Sequence, residues 1–331
     1  MKTPKSILKA RETFEEYGKK AYEEALAVVS KEKFGYAPVR EALLYFMRHC
    51  WRNYQHAALV SLACESVGGD PEATRRVGAS LVLLTGAADI HDDIIDQSEI
   101  KNRRPTVLGK YGKDMALLIG DALLVEGYAL LNDACTGFPE EKARKIQELV
   151  KDGFFELGCA EAEEADLDSK WNVEPETYLN IMKRKAAVAE TAIRLGVILG
   201  NGSLEEIEAL GRYGKTLAIL VNIRDEFVDV FEPEELRSRV ENECLPLPIL
   251  YVFQNNDLRN KITSQLKRAN VSAREISKVA HIVVAAEEVQ PLKNEVARIS
   301  QVAYESLNYV RNDETAIKLA QLLKAATEKI W

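Results

Sequence analysis

The sequence predicts an all-α protein, a large helical bundle around a central cavity, and three observations carry that expectation. Glycine and proline are sparse for 331 residues, at 18 and 10, while the strong helix formers Ala, Glu, Leu and Lys abound. No stretch keeps the alternating apolar and polar order of a strand. The breaks between helical stretches are short: "CTGFP", "DSKWNVEP", "NGS" and "FEPEE".

Taken in order, residues 5–30 read as an amphipathic helix. Residues 37–68 give one or two apolar helices that stop at "GGD". Pro71 and Glu72 open the next helix, which runs through "RRVGASLVLLTGAADIHDDIID". The polar stretch "QSEIKNRRPT", with Pro105, reads as a loop. Helices follow over 112–135, 139–165, 174–200, 203–231, 245–255, 257–268, 272–288 and 290–309, with a last one from 313. No linker is long or rich in Gly and Ser, and no repeat of fixed period recurs. Residues 1–331 are therefore expected to form a single domain, although length alone suggests two.

The net charge of −8 excludes non-specific binding to nucleic acid through phosphates. The five cysteines are odd in number and form no CxxC pair, as expected of a reduced, cytoplasmic protein. The opening residues lack the apolar core of a signal peptide. No apolar run reaches the roughly 18–20 residues that span a bilayer.

The stretch most in need of explanation is "TGAADIHDDIIDQSEIKNRRPT", residues 85–106. Residues four apart on a helix lie about 40° apart around its axis. Asp92 and Asp96 therefore point the same way, with Asp89 near that line and Asp93 beside it. Like charges at this spacing destabilise a helix. Because the flanks are apolar, the cluster is expected to be buried and to need cations. A second cluster, "VNIRDEFVDVFEPEE", repeats the spacing at Asp225 and Asp229, with Glu226 alongside. Carboxylate oxygens alone suit a hard ion such as Mg²⁺, which bridges to substrate phosphates. Two such helices meeting across a cavity would hold metal ions around a diphosphate.

These residues resemble the trans-polyprenyl diphosphate synthases, which include farnesyl and geranylgeranyl diphosphate synthases. The first Asp-rich motif of that family, DDxxD, matches at Asp92, Asp93 and Asp96, after His91. "RPTVLGKYGKDMALLIGDALL" (104–124) is similar to the family's "PT…YG…A…GDALL" segment, and "LACESVGGDPE" (62–72) to the run one helix earlier. Lys185 in "MKRKAAVAETA" falls at the Lys of the KT motif. "NIRDEFVDV" falls at the second Asp-rich motif, with Glu226 where Asp is usual. The resemblance covers roughly residues 40–250. It implies the isoprenoid synthase fold, a homodimer, and Mg²⁺ bound by Asp92, Asp93, Asp96, Asp225, Glu226 and Asp229, as three ions once diphosphate is present. Asp92, Asp96, Lys185 and Asp225 are the expected catalytic residues. The chemistry implied is ionisation of an allylic diphosphate, attack by the double bond of isopentenyl diphosphate, and loss of a proton.

The departures are as specific as the matches. The family motif Gly-Gly-Lys-Arg-x-Arg-Pro, which binds the second diphosphate, aligns with "WRNYQHA" (51–57). Asn53, Tyr54 and His56 replace its three cations. Of the Arg pair after the first Asp motif, Lys101 keeps a charge and Asn102 does not. Ala186 replaces the Thr of KT, Val221-Asn222 replaces Phe-Gln, and Asn242 replaces a later Lys. Lys101, Lys185 and Asn222 are expected substrate contacts. Arg52 compensates from a shifted position, with Arg48, Arg103 and Arg104 as further candidates, and His56 keeps its motif position. On spacing alone, His49, His56 and His281 have no ligand-spaced neighbour and read as structural. "EAEEADLD" (161–168) reads as a solvated acidic face near the family's Gln-x-x-Asp motif. The lost cations predict weak binding of isopentenyl diphosphate.

Three functions follow from this balance. The first is a trans-prenyltransferase with a remodelled second site. The second is a lyase or terpene-synthase-like enzyme that ionises an allylic diphosphate without isopentenyl diphosphate. The third is a non-catalytic partner subunit. The small residues Ala88 and Ala87, four and five positions before the first motif, leave room for a chain of C15 to C20 or longer, with Leu84 and Thr85 one turn further as its floor.

Overall fold

The computed structural model describes residues 3–168, 170–266 and 273–328. Sixteen helices dominate it. The first part comprises α1 (Lys5–Lys31), α2 (Ala37–Tyr45), α3 (Gln55–Ser66), α4 (Arg75–Ile95), α5 (Val107–Tyr111), α6 (Lys113–Cys135) and α7 (Glu140–Ala165). It continues with α8 (Pro175–Lys185), α9 (Ala187–Leu199), α10 (Leu204–Asp229), α11 (Pro233–Asn242) and α12 (Leu247–Val252). The last are α13 (Asn256–Leu266), α14 (Ala273–Ala285), α15 (Gln290–Ser306) and α16 (Asp313–Ala326). The inner ends of the helices expected at 257–268 and 272–288 fall at 267–272, outside the described residues.

The breaks have local causes. Proline occupies the first turn of α2, α8, α11, α12 and α15, where its missing N–H costs nothing. Ser203 and Glu206 form a reciprocal capping box at the start of α10, at 3.2 and 2.7 Å. Of the one or two helices expected over 37–68, two form, α2 and α3, separated by a π-helical turn at Phe46–Cys50 and four non-helical residues. The expected helix over 174–200 breaks at Ala186, which leaves Lys185 at the end of α8.

The loop expected at 97–106 contains the only sheet among the described residues, a hairpin of β1 (Ile100–Lys101) and β2 (Arg104–Pro105). Its turn residues, Asn102 and Arg103, have φ of 53° and 60°, the left-handed pair that a two-residue hairpin turn requires.

α4 lies at the centre. Its residues from Val77 to Ala87 are all buried and contribute to two apolar cores. One gathers α3, α8, α9, α10 and the C-terminal helices; the other gathers α1, α2 and α6. α3 and α9 approach closely, since a Cβ on Gly196 would lie 2.1 Å from the carbonyl oxygen of Val60. No helix among the described residues is long and apolar enough to cross a membrane.

Candidate active site

The apolar run of α4 ends in carboxylates. Asp89, Asp92 and Asp93 stand in its last two turns, and Asp96 is its C-cap. The helix dipole adds negative potential there, so this is a costly place for four acids. The hairpin supplies one counter-charge by folding Lys101 back onto the helix. Its Nζ lies 2.6 Å from Asp93, 3.5 Å from Asp89 and 3.6 Å from Asp92. Burial opposes the charge on Lys101, but the three aspartates outweigh it and hold the ammonium above its ordinary pKa. Burial still pushes Asp93 up to about 6.

One ammonium does not balance the cluster. Asp96 is pushed up to about 8 by burial, then by Asp92 and Glu243. On α10, Asp229 is likewise pushed up to about 8 by burial and then by Glu226. α7 adds Glu161 and Glu164, which clasp Lys185; Nζ lies 2.8 Å from Glu161. Burial raises Glu161 to about 7. In Glu164, Lys185 and its hydrogen bond overcome burial and lower the pKa. The expected solvated face at 161–168 is thus divided: Glu161 and Glu164 turn inward, and Glu163 turns outward to Arg184.

A buried network runs between these groups. The Tyr178 hydroxyl lies 2.9 Å from Glu164 and 3.0 Å from Glu226, and accepts a hydrogen bond from Arg239 at 2.7 Å. Arg239 also donates to Glu226 Oε1 at 2.8 Å, and Glu226 Oε2 accepts from the Leu247 N–H at 2.6 Å. Glu226, expected to bind metal, is therefore turned into the protein with both oxygens engaged. The reason is angular: successive helical residues are about 100° apart, so it leaves the face that Asp225 and Asp229 share. Breaking a buried ion pair on one side costs about 3–5 kcal/mol. Arg239→Met is accordingly expected to lower stability by that order, read by denaturant unfolding, whereas Asp225→Asn stays within about 0.5 kcal/mol. Asp225 is exposed and bound to Arg224 at 2.7 Å.

Two cavities meet beside the carboxylates. The first, about 430 Å³, is apolar at depth, with Leu59, Val188, Leu217, Leu322 and Ala325 among its lining. α4 presents Thr85, Ala88 and Asp89 to it, and α10 presents Val221, Asn222 and Arg224. Glu161, Lys185 and His56 also line it. The second, about 750 Å³, is more polar and is bounded by α1, the 49–55 segment and the hairpin, with Arg52 and Lys101 in its wall. Phe14, Trp51, Gln55 and Asp89 line both. An apolar tunnel with a carboxylate mouth, joined to a second polar chamber, is a shape suited to two amphiphilic anions.

The sequence profile of polyprenyl synthetases matches residues 53–283. The chain belongs to the polyprenyl synthetase family. It is 32% identical over 180 residues to a short chain isoprenyl diphosphate synthase of Methanothermobacter thermautotrophicus, an alignment covering 54% of each chain. It is 31% identical over 200 residues to geranylgeranyl pyrophosphate synthase 12 of Arabidopsis thaliana, covering 57% of this chain and 55% of that one. The chain thus spans about half the length of the curated relatives it matches. The fold extends further. A geranylgeranyl pyrophosphate synthetase of Pyrococcus horikoshii superposes with a TM-score of 0.82 at 21% identity, covering 96% of this chain and 99% of that one. A polyprenyl synthase of Caulobacter crescentus, solved with calcium and isoprenyl diphosphate, gives a TM-score of 0.77 at 14% identity, covering 96% and 97%. The all-α isoprenoid synthase fold expected from the sequence is the fold found.

Against this family frame, several expected site residues change place. Of the chain-length set, Ala88 lines the tunnel, but Ala87 and Leu84 do not. Both are fully buried in the apolar cores, and Leu84 packs against Gly127 of α6. Helical rotation again decides this: Thr85, Ala88 and Asp89 share one face and Ala87 lies across the axis. His56 lines the tunnel, but burial lowers its pKa to about 4, so it is neutral at physiological pH and supplies no positive charge. Tunnel contacts from α1 and α16 were absent from the sequence reading.

Whether the carboxylates fit a metal follows from their charge. Among the described residues no three acidic, imidazole or thiol groups converge on a single ion. Carboxylate oxygens, two of them held near neutrality by burial and then by neighbouring acids, suit a hard ion such as Mg²⁺, which is bound through one or two carboxylates and keeps other positions for water or phosphate. This has a pH consequence. Asp96 and Asp229 bind protons when folded that they release when unfolded, from their usual value of 3.8 up to about 8. Metal-free stability therefore falls as pH rises through that window. Divalent metal must displace those protons, so Mg²⁺-dependent diphosphate affinity is expected to rise from pH 6 to 8 and level off above it. Calorimetry in buffers of different ionisation enthalpy, which reads the protons released, checks this.

Proposed function

We propose that the protein is a Mg²⁺-dependent trans-prenyltransferase that ionises an allylic prenyl diphosphate and joins it to isopentenyl diphosphate. One observation carries the reading: α4 and α10, the helices that bear the pairs Asp92 with Asp96 and Asp225 with Asp229, both line one apolar tunnel, α4 through Thr85, Ala88 and Asp89 and α10 through Val221, Asn222 and Arg224. Bound Mg²⁺ supplies neutralisation of the diphosphate as a leaving group. The chain's own residues do the rest. Asp92, Asp96, Asp225 and Asp229 would hold the ions, with Asp93 beside them. Lys185 and Lys101 exchange their carboxylate contacts for diphosphate oxygens. Asn222 offers an uncharged hydrogen bond, and the tunnel wall takes the prenyl chain and excludes water. The allylic C–O bond breaks with its electron pair leaving on the diphosphate. The isopentenyl double bond then forms the new C–C bond, and a proton leaves the adjacent carbon.

A homodimer is part of this reading. Leu118 and Val125 of α6 and Phe155 of α7 expose large apolar side chains, and a second copy of the chain would cover them.

The missing cations at Asn53, Tyr54 and His56 favour a second reading, ionisation without condensation. Incubation of the protein with labelled farnesyl diphosphate and Mg²⁺, with and without isopentenyl diphosphate, separates the two. A product one or more isoprene units longer supports the transferase. A hydrocarbon or alcohol formed equally in both mixtures supports the lyase, and no turnover under either condition contradicts both.

A further inference from the structure

The polar chamber is not short of positive charge, although the motif expected to supply it is. Arg11 enters its wall from α1, Arg52 from the segment before α3, and Arg104 from β2. Lys101 lines the chamber too, but Asp89, Asp92 and Asp93 engage it. Apart from Asp89 and Asp93, the acid in the wall is Glu15. Arg11 and Arg52 have no carboxylate partner among the described residues. Arg104 donates to the carbonyl oxygen of His49 at 2.7 Å, a bond that leaves its charge unneutralised. The wall therefore carries three guanidinium groups and one ammonium against three carboxylates, Glu15, Asp89 and Asp93.

Resting on the condensation reading, we propose that Arg11, Arg52 and Arg104 hold the diphosphate of the second, homoallylic substrate. None of the three stands at a cation position of the family's motif for that group, Arg52 falling on its second Gly, and Arg11 and Arg52 lie outside the residues 53–283 matched by the family profile. Guanidinium forks bind phosphate oxygens in pairs, and three forks from three separate elements match a diphosphate's spread of oxygens better than a single phosphate. The chamber meets the tunnel at Phe14, Trp51, Gln55 and Asp89. A C5 chain directed away from the arginines would bring its double bond to that junction, where the ionised allylic carbon emerges. The cations missing at Asn53, Tyr54 and His56 are replaced from other elements, so the weak isopentenyl diphosphate binding expected from the sequence does not follow. Arg11 further makes α1 part of the substrate site.

The test is steady-state kinetics on the full chain with farnesyl and isopentenyl diphosphates varied separately, for wild type, Arg11→Ala, Arg52→Ala and Arg11→Lys. Loss of one charge-assisted contact is expected to raise KM for isopentenyl diphosphate about tenfold or more in each alanine variant. KM for farnesyl diphosphate should stay within about twofold, and Arg11→Lys should recover part of the loss. Both arginines are exposed, and thermal melts verify the fold. If condensation proceeds and neither alanine variant moves the isopentenyl KM, the arginine site is wrong while the transferase reading stands. If the wild type makes no longer product, calorimetry with isopentenyl diphosphate decides separately. Binding that weakens in Arg11→Ala retains the site without condensation, and binding that is absent or unchanged overturns it.

Discussion

Asp92→Ala is expected to lower turnover by about a hundredfold to a thousandfold while leaving the protein as stable as before, or more so. The activity loss follows from the proposed role: Asp92, next to Asp93 of the chamber wall, would anchor the ions that neutralise the leaving diphosphate, and removing one preorganised electrostatic contact at such a site costs about 10²–10³-fold. The stability change runs the other way. Asp92 stands near the C-terminus of α4 among Asp89, Asp93 and Asp96, with Lys101 3.6 Å away and already closer to Asp93. Deleting it relieves repulsion in the last helical turn. Because Asp92 is a cause of the raised pKa of Asp96, the variant should also lower that pKa. The checks are the rate of labelled product formation and the melting temperature without metal. A variant that keeps Mg²⁺-dependent turnover within tenfold of wild type would contradict the assignment, whatever its stability.

The second large effect separates two neighbouring alanines. Ala88→Phe is expected to shorten the longest chain accepted by about one isoprene unit. Ala88 lines the tunnel, and a phenyl ring there blocks about one helical turn of its length, or 5.4 Å. Ala87→Phe should do something different. Ala87 is fully buried in the core shared with α6, so the larger ring overpacks it at a cost of about 1–3 kcal/mol or more. Product length is measured by chromatography of the dephosphorylated alcohols, and stability by chemical denaturation. A tunnel running along the Ala87 face instead would give the reverse pattern, with length preference moving in Ala87→Phe and not in Ala88→Phe.

How much of this was legible in the sequence depended on the range of the interaction. The aspartates of α4 and α10 could be read because a four-residue spacing on an apolar background is a local signal, and the helix carries it unchanged into space. Glu226 was misread because proximity in sequence was taken for a shared face; its rotation, and the Arg239 that claims it, come from a different helix. Leu84 and Ala87 failed for the same angular reason. The hairpin at 100–105 was hidden because two-residue strands carry no period, and only the left-handed turn at Asn102 and Arg103 forms it. Glu161 and Glu164 looked solvated because nothing local announces that Lys185 will stand between them. Arg11 was invisible for a broader reason. Its chamber partners, Arg52 and Arg104, lie far along the chain, and no spacing rule links positions that only tertiary packing joins.

The arrangement of α4 against α10 is tested most directly by diffraction from crystals grown with Mn²⁺ and a farnesyl thiodiphosphate, which binds but ionises slowly. Anomalous difference maps locate the metal independently of any assumption about the ligand. The account predicts peaks between the diphosphate and the carboxylates of Asp92 and Asp96 on one side and Asp225 and Asp229 on the other. It also predicts Glu226 still bound to Arg239, and the prenyl chain in the tunnel beside Ala88. Metal peaks at Glu226, or a diphosphate bound with no metal between the two helices, would contradict it.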